Sequence, residues 1–385
     1  MKNICSVVAF LLAALFLVAC GSTAPAETTS TITPTTTTSV LPDGIRNIVL
    51  VIGDGMGDAQ IQLGQLASGQ NHVFQGWDMI KSNTNSLDTD GNATKTTDSA
   101  AGGTALATGQ LTVNKVVGRD PSGNDLKNIM EHARDYGKST GVVTTDAVYG
   151  ATPASFSSHA ADREDSTTIM YSQMRSNIDL LVATHSNDAV EMKAFFTDAG
   201  YTYLTDLPSM RKNMDKDKLL CLLRMSGYAP KVSLKDVIPD ALDYLDQDTD
   251  GFMLMVEQAH IDKYCHNNEI AGTQACVNML DDCVSAIVDW VGDREDTAII
   301  ITADHETGGL ALSTDPVYEM EYAAPSGSNI YYRYSSTSHT PTPVSIYTHG
   351  FTPDWSPYYL DDTGTIVKNT AVFHIMYGLL ENPMQ

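Results

Sequence analysis

The sequence predicts an α/β protein, a three-layer αβα sandwich around a mostly parallel central sheet. Three observations lead there. Apolar runs recur without polar alternation: NIVLVI from Asn47, STGVVTT from Ser139, FMLMV from Phe252 and DTAIIIT from Asp296. This is the pattern of strands buried on both faces. The runs end in turns that carry Gly with Asp, Glu, Thr or His, and open parallel sheets bind ligands beyond the carboxyl ends of their strands. Between the runs lie helical patterns such as CVNMLDDCVSAIVDWV from Cys276.

A chain of 385 residues, 42% hydrophobic and 18% charged, can bury a large core. Its 47 acidic residues against 23 basic ones argue against nucleic-acid binding, because a phosphate backbone is repelled except at local basic sites. An anionic substrate needs metal ions or a placed Arg to overcome this field.

The N-terminus has Lys2 and an apolar run from Ile4 to Ala19, of signal-peptide length and marginal for a membrane span. It ends Leu17-Val18-Ala19-Cys20-Gly21, which resembles a bacterial lipoprotein processing box. That resemblance implies cleavage before Cys20 and a lipid anchor on it, with the mature chain on the periplasmic side of the cell envelope at the outer membrane. Residues 21 to about 43 are rich in Thr, Ser and Pro, the composition of a disordered tether. In an oxidising compartment Cys221, Cys265, Cys276 and Cys283 are expected in disulfides. Seven residues of helix separate Cys276 from Cys283, about 10 Å and too far to bridge. Cys221 is therefore expected to pair with one of them and Cys265 with the other.

In chain order, the first strand runs into Gly53-Asp54-Gly55-Met56-Gly57. The glycines lack the dinucleotide-binding spacing. Asp54 reads as a metal ligand or as a helix cap. In KTTDSAAGGTALATG from Lys95, Ser99 falls at a helix N-terminus, where amides and the dipole favour an alkoxide or a phosphate. Capping by Asp98 or Ser99 is the commoner use of such residues. The third run leads to Gly150-Ala151-Thr152-Pro153, then His159 and Arg163. Arg163 suits a two-pronged grip on phosphate, although a surface Arg is the ordinary alternative. From there to about Leu245 the pattern is helical with a short strand near Tyr201, and His132 and His185 read as ordinary helix-face histidines.

Asp246, Asp248, Asp250, Gly251 and Glu257 fit an EF-hand loop pattern, but the segment that should open the outgoing helix is the strand FMLMV. In VEQAHIDKYCH from Val256, Asp262 and His266 share one helical face and can hold one ion. Asp304 and His305 follow the strand DTAIIIT. A Tyr- and Ser-rich stretch from Leu312 to Ser338, expected to lie over the site as a lid, leads to His339.

Together the strand ends offer Asp54, Glu257, Asp262, His266, Asp304, His305 and His339, one hydroxyl at Ser99 and one Arg. Mixed Asp/His sets suit zinc, and an oxygen remainder suits magnesium. Two metals about 4 Å apart around a serine make a phosphoryl-transfer centre.

The chain resembles the bacterial alkaline phosphatases through IGDGMG around Asp54, TDSAAGGTA around Ser99, ATP before Arg163, VEQAHIDKYCH, TADHETGG around Asp304 and SHT around His339, in the family's order. With the apolar run, the processing box and the tether composition, the resemblance divides the chain into a signal peptide at residues 1–19, a lipidated Cys and tether at 20–43, and one alkaline phosphatase-like catalytic domain at 44–385. It implies a first zinc on Asp262, His266 and His339 and a second on Asp54, Asp304 and His305, with Ser99 as exchangeable ligand. Magnesium is implied on Asp54, Thr152 and Glu257. The implied reaction is hydrolysis of phosphate monoesters of broad specificity through a phosphoserine on Ser99, with Arg163 holding the phosphoryl oxygens, in a homodimer. A sulfatase or phosphodiesterase of the same fold is less consistent with TDSAAG and Arg163. One departure stands out: Gly150 occupies a position where many bacterial members carry Asp and others His. Lys263, which that Asp would pair with, is kept. The expectation is that Lys263 approaches phosphate through water and that magnesium binds weakly.

Overall fold

Ten strands form the central sheet of the computed structural model, which describes residues 44–381. In chain order they are β1 (Asn47–Gly53), β2 (Asp78–Ser82), β3 (Ser139–Thr144), β4 (Leu180–Thr184), β5 (Thr202–Leu204), β6 (Leu219–Leu223), β7 (Phe252–Gln258), β8 (Thr297–Thr302), β9 (Val344–His349) and β10 (Ile366–Val367). Their spatial order is β10-β2-β9-β8-β1-β7-β3-β4-β6-β5. All neighbours pair parallel except β9, which runs antiparallel to both β8 and β2. The sheet is therefore mixed but mostly parallel, as the apolar runs predict.

Helices cover both faces. On one lie α1 (Asp58–Ser68), α6 (Leu234–Leu245) and α8 (Ile270–Val291), packed on Val49, Val143, Val182 and Leu254. On the other lie α2 (Ser99–Thr108), α3 (Ile129–Asp135), α4 (Ala151–Ser157), α5 (Ser166–Ser176) and α9 (Ala371–Glu381), packed on Ile48, Leu50, Leu181 and Met255. The short α7 (His260–His266) leaves the end of β7 directly. Alternate residues of each strand thus go to opposite cores, which is why polar alternation is missing from these strands.

Register aligns the strand ends that matter. Ile52 lies beside Thr302 on one side and Glu257 on the other, and Glu257 lies beside Thr144. Whatever follows these residues converges on one crevice, since neighbouring strands stand about 4.8 Å apart.

Several expectations are corrected. The segment read as helical contains two buried strands, LLVAT (β4) and LLCLL (β6); runs this short fit a buried helix turn as well as a strand. His185 follows β4 and lies outside any helix. The segment expected as a lid is a three-stranded antiparallel sheet, Leu310–Ser313, Met320–Ala323 and Asn329–Tyr334. Its Leu310, Ile330 and Tyr332 pack on Leu63 and Ala67 of α1 and Ile270 of α8, so it stands on those helices beside the crevice. The EF-like aspartates do follow a helix, α6, yet they make a turn into β7, where Arg294 grips both oxygens of Asp246 at 2.7 and 2.9 Å. The signal peptide, Cys20 and the tether lie outside the described residues.

The expected disulfides are absent among the described residues: Cys221, Cys265, Cys276 and Cys283 are free and buried. All four sit in the core between β6, α7 and α8, among Leu280, Val284 and Ile287, and act there as small apolar side chains. Burial pushes the thiols of Cys221, Cys265 and Cys276 up to about 12, which suppresses thiolate chemistry. Alkylation of unreduced protein followed by peptide mass mapping should leave these four unmodified in the native state and label all four after denaturation. Recovery of any disulfide-linked peptide among them would contradict this packing.

Candidate active site

The crevice at the carboxyl end of the sheet holds two compact ligand groups. One is Asp262, His266 and His339, and the other is Asp54, Asp304 and His305. In the first, the His266 and His339 Nε2 atoms are 3.1 Å apart and lie 3.3 and 3.4 Å from the two oxygens of Asp262. In the second, His305 Nε2 lies 3.2 Å from Asp304 and 3.5 Å from Asp54. The His305 and His339 rings stack with centroids 3.5 Å apart, which places the two groups side by side.

Local structure explains the convergence. Asp54 and Asp304 each follow by two residues the aligned pair Ile52 and Thr302. Gly55 between them has φ +72°, and a Cβ there would stand 2.8 Å from Asp262. Only glycine lets α7 come this close. Asp262 and His266 are one turn apart on α7, and His339 arrives on a short strand pairing with Glu306–Thr307.

The residues fit divalent cations. His266 Nδ1 bonds the Thr337 carbonyl at 2.6 Å and His339 Nδ1 the Thr97 carbonyl at 2.8 Å. A carbonyl only accepts, so both Nδ1 atoms carry hydrogen and both Nε2 lone pairs face inward. Thr307 donates to Asp262 at 2.5 Å, which leaves its oxygen to accept from His305 Nδ1 at 3.2 Å. Three of the buried oxygens that lack a well-formed hydrogen bond lie at this site: Asp54 Oδ1 and Asp304 Oδ2, which face His305 Nε2, and Thr152 Oγ1. Buried polar atoms so poorly paired are costly, and here they edge the same crevice.

The electrostatics point the same way. Burial, then the neighbouring Asp304, Asp262 and Glu257, raise the Asp54 carboxyl well above its ordinary range. Burial and then Asp146 push Glu257 up to about 8. Its hydrogen bond to Asp262 lifts His266 to about 9. Protons are drawn to places where a cation would neutralise the cluster.

Ser99 is the first residue of α2, buried, with Oγ 3.3 Å from His305 Nε2. Asp98 caps α2 through Ala101 N at 3.0 Å, and its other oxygen accepts from Lys115 N at 2.9 Å and from Arg163 at 3.3 Å. One carboxylate therefore fixes both the serine's helix and the Arg. Glu257 is the last but one residue of β7 and accepts from Thr144, while Thr152 lies in the first turn of α4.

Sequence reasoning missed three partners: Asp98 as the holder of Arg163, Thr307, and Asp146. The last overturns an expectation. Lys263 is not released by Gly150, because its ammonium pairs with Asp146 at 2.5 Å. A Cβ on Gly150 would sit 2.8 Å from that carboxylate, so the turn supplies the charge four residues earlier. His260 bonds Thr145 and Ser226, both at 3.1 Å, and burial pushes it down to about 4, so it is a neutral structural group. His159 bonds Gly118 and Glu131, outside both ligand groups.

A sequence profile described as Alkaline phosphatase matches residues 45–193 and 170–354. Alkaline phosphatase 4 of Bacillus subtilis (strain 168) is 32% identical over 293 residues, 70% of this chain and 63% of that protein. Alkaline phosphatase 3 of the same organism is 32% identical over 300 residues, 72% of this chain and 64% of that protein. The chain thus spans less than two thirds of these relatives' length. Among solved structures, alkaline phosphatase from the Antarctic bacterium TAB5 superposes with a TM-score of 0.76 at 25% identity, covering 88% of this chain and 98% of that one.

Two expectations follow from the site. In chelator-treated protein at pH 8, Asp54→Asn should raise the melting midpoint by a few degrees by removing a buried like charge, and should reduce the stabilisation that added zinc gives. Equal zinc stabilisation in both proteins would contradict the grouping. Asp146→Asn should strengthen inhibition by inorganic phosphate several-fold, because Lys263 loses its counter-charge; an unchanged inhibition constant would show that the pair does not govern Lys263.

Proposed function

The chain belongs to the alkaline phosphatase family, and from that premise we propose that it hydrolyses phosphate monoesters of broad specificity through a phosphoserine on Ser99. The observation that carries the reading is a buried serine at a helix N-terminus, beside two three-residue ligand groups and an Arg anchored on the serine's own capping residue.

Asp262, His266 and His339 would hold one zinc, Asp54, Asp304 and His305 a second, and Asp54, Thr152 and Glu257 magnesium. When bound, these ions neutralise the carboxylates, favour the ionised serine and offset charge on the leaving oxygen. The chain's own groups do the rest. The N-terminus of α2 aims its amides and dipole at Ser99 Oγ. Arg163 spends one N–H on Asp98 and presents the others to two non-bridging phosphoryl oxygens. Ser99 Oγ, its proton lost to solvent, attacks phosphorus in line as the ester P–O bond breaks and the leaving alcohol takes up a proton; water then loses a proton and attacks from the vacated side as the P–Oγ bond breaks, which releases phosphate and restores Ser99. Two inversions give net retention at phosphorus. Binding falls mainly on the phosphoryl group, so the alcohol matters little.

The proposal includes the chain's placement. A lipid on Cys20 would anchor the enzyme on the periplasmic side of the outer membrane; the processing box in the sequence supports this. A homodimer is proposed on family resemblance.

With p-nitrophenyl phosphate, chelator-stripped protein should regain turnover on zinc addition, increase further with magnesium and rise in activity into alkaline pH. Ser99→Ala should abolish this, and Arg163→Ala should lower kcat/KM by about 10²-fold or more, the scale of losing one placed donor to developing charge. Full activity in Ser99→Ala would refute the phosphoserine route.

A further inference from the structure

Lys115 holds a backbone conformation that its side chain does not favour. Its φ is +75°, and among the described residues the other non-glycine residues with positive φ are Asn177 and Asn268. Asparagine tolerates this left-handed region, whereas lysine enters it at a cost. The conformation is imposed from both sides. Lys115 N donates to Asp98 Oδ2 at 2.9 Å, and the Lys115 carbonyl accepts from Arg163 N at 2.8 Å. Its neighbour Asn114 ties the same turn to residues 96–98, donating through Nδ2 to the Thr96 carbonyl at 3.0 Å and accepting from Asp98 N at 3.2 Å.

All these bonds are made by the backbone or by Asn114, and glycine at position 115 would make them without strain. What lysine adds is an exposed ammonium on a flexible four-carbon stem. Its place beside the crevice is fixed by contacts. The Asp98 Oδ2 that accepts from Lys115 N also accepts from Arg163 Nη1 at 3.3 Å. The Lys115 backbone is therefore no further from the guanidinium than those two distances together, and Asp98 immediately precedes Ser99. Strain that the surrounding structure over-determines clusters where ligands are gripped, and here it sits on the anchor of the proposed phosphate clamp.

The charge of the molecule gives such an ammonium a task. Behind Arg163 lie the buried carboxylates of Asp54, Glu257, Asp262 and Asp304, in a chain with 47 acidic and 23 basic residues. A phosphate dianion coming from solvent meets a repulsive field before it reaches the crevice. We propose that Lys115 is a substrate-capturing residue, whose ammonium draws the dianionic phosphoryl group of monoesters, and the product phosphate, to Arg163. The proposal rests on the phosphomonoesterase reading and deepens it by dividing the work on the phosphoryl group. The guanidinium grips two oxygens at close range, and the ammonium acts from the rim without a fixed contact, so salt screens its part most.

The test measures p-nitrophenyl phosphate turnover and inhibition by inorganic phosphate on the metal-loaded enzyme, for wild type, Lys115→Gly, Lys115→Asn and Lys115→Arg, at about 0.02 M and about 0.5 M salt. At low salt the Gly and Asn variants should lose about fivefold in kcat/KM, with the loss carried by KM and a matching weakening of phosphate inhibition. Lys115→Arg should keep the wild-type constants, and at high salt all four proteins should agree to within about twofold. The melting midpoint of Lys115→Gly should be no lower than that of wild type, since glycine takes this turn freely. Wild-type constants in the Gly and Asn variants at low salt would overturn the proposal. So would a loss that is as large at high salt, which would assign Lys115 to the geometry of the turn alone. If wild type turns over no monoester at either salt, the phosphatase reading itself has failed. Calorimetry of inorganic phosphate binding to the zinc-loaded proteins then decides on Lys115 separately: weaker binding in Lys115→Gly at low salt only supports it, and equal binding, or none in wild type, refutes it.

Discussion

Four carboxylates, those of Asp54, Glu257, Asp262 and Asp304, are buried together at the ends of three adjacent parallel strands, and the site is organised around that concentration of negative charge. The two nearest full cations are already committed, Arg163 to Asp98 and Lys263 to Asp146. Histidines and borrowed protons compensate only in part, as the raised carboxyls of Asp54 and Glu257 show. Such an arrangement is unfavourable for an isolated chain and becomes favourable with divalent cations present. Strand register, the glycine at position 55 and the outward hydrogen bonds of the three imidazoles all serve to hold the cluster together.

The serine and the Arg depend on the same logic at one remove. Asp98 is a helix cap by position, and its second oxygen makes it the anchor of Arg163 as well. A single side chain thus registers the proposed nucleophile against the proposed phosphate clamp. Any shift of α2 moves both, which keeps their geometry relative to each other.

Much of this was legible in the sequence, for identifiable reasons. Strands β1, β7 and β8 are long, β-branched or otherwise apolar, and end in residues that have no reason to follow a buried strand unless they bind something. Asp54, Asp304 and His305 were readable for that reason, and Asp262 with His266 by helical spacing. What stayed hidden depends on contacts between segments far apart in the chain. LLCLL carries no period that separates strand from helix. Asp146 acts through Lys263, 117 residues away, and nothing near Gly150 in sequence says that a carboxylate one turn earlier reaches the same ammonium. The cysteines were misread because compartment chemistry was given more weight than the apolar sequence around each of them.

The central claim is that the two ligand groups hold separate divalent ions. Native mass spectrometry of chelator-treated protein titrated with zinc tests it most directly, with wild type compared against His339→Ala and Asp304→Ala. The account predicts two tightly held zinc ions per wild-type chain and one in each variant. Zinc counts that are the same in all three proteins, or an absence of tightly held zinc in wild type, would contradict it.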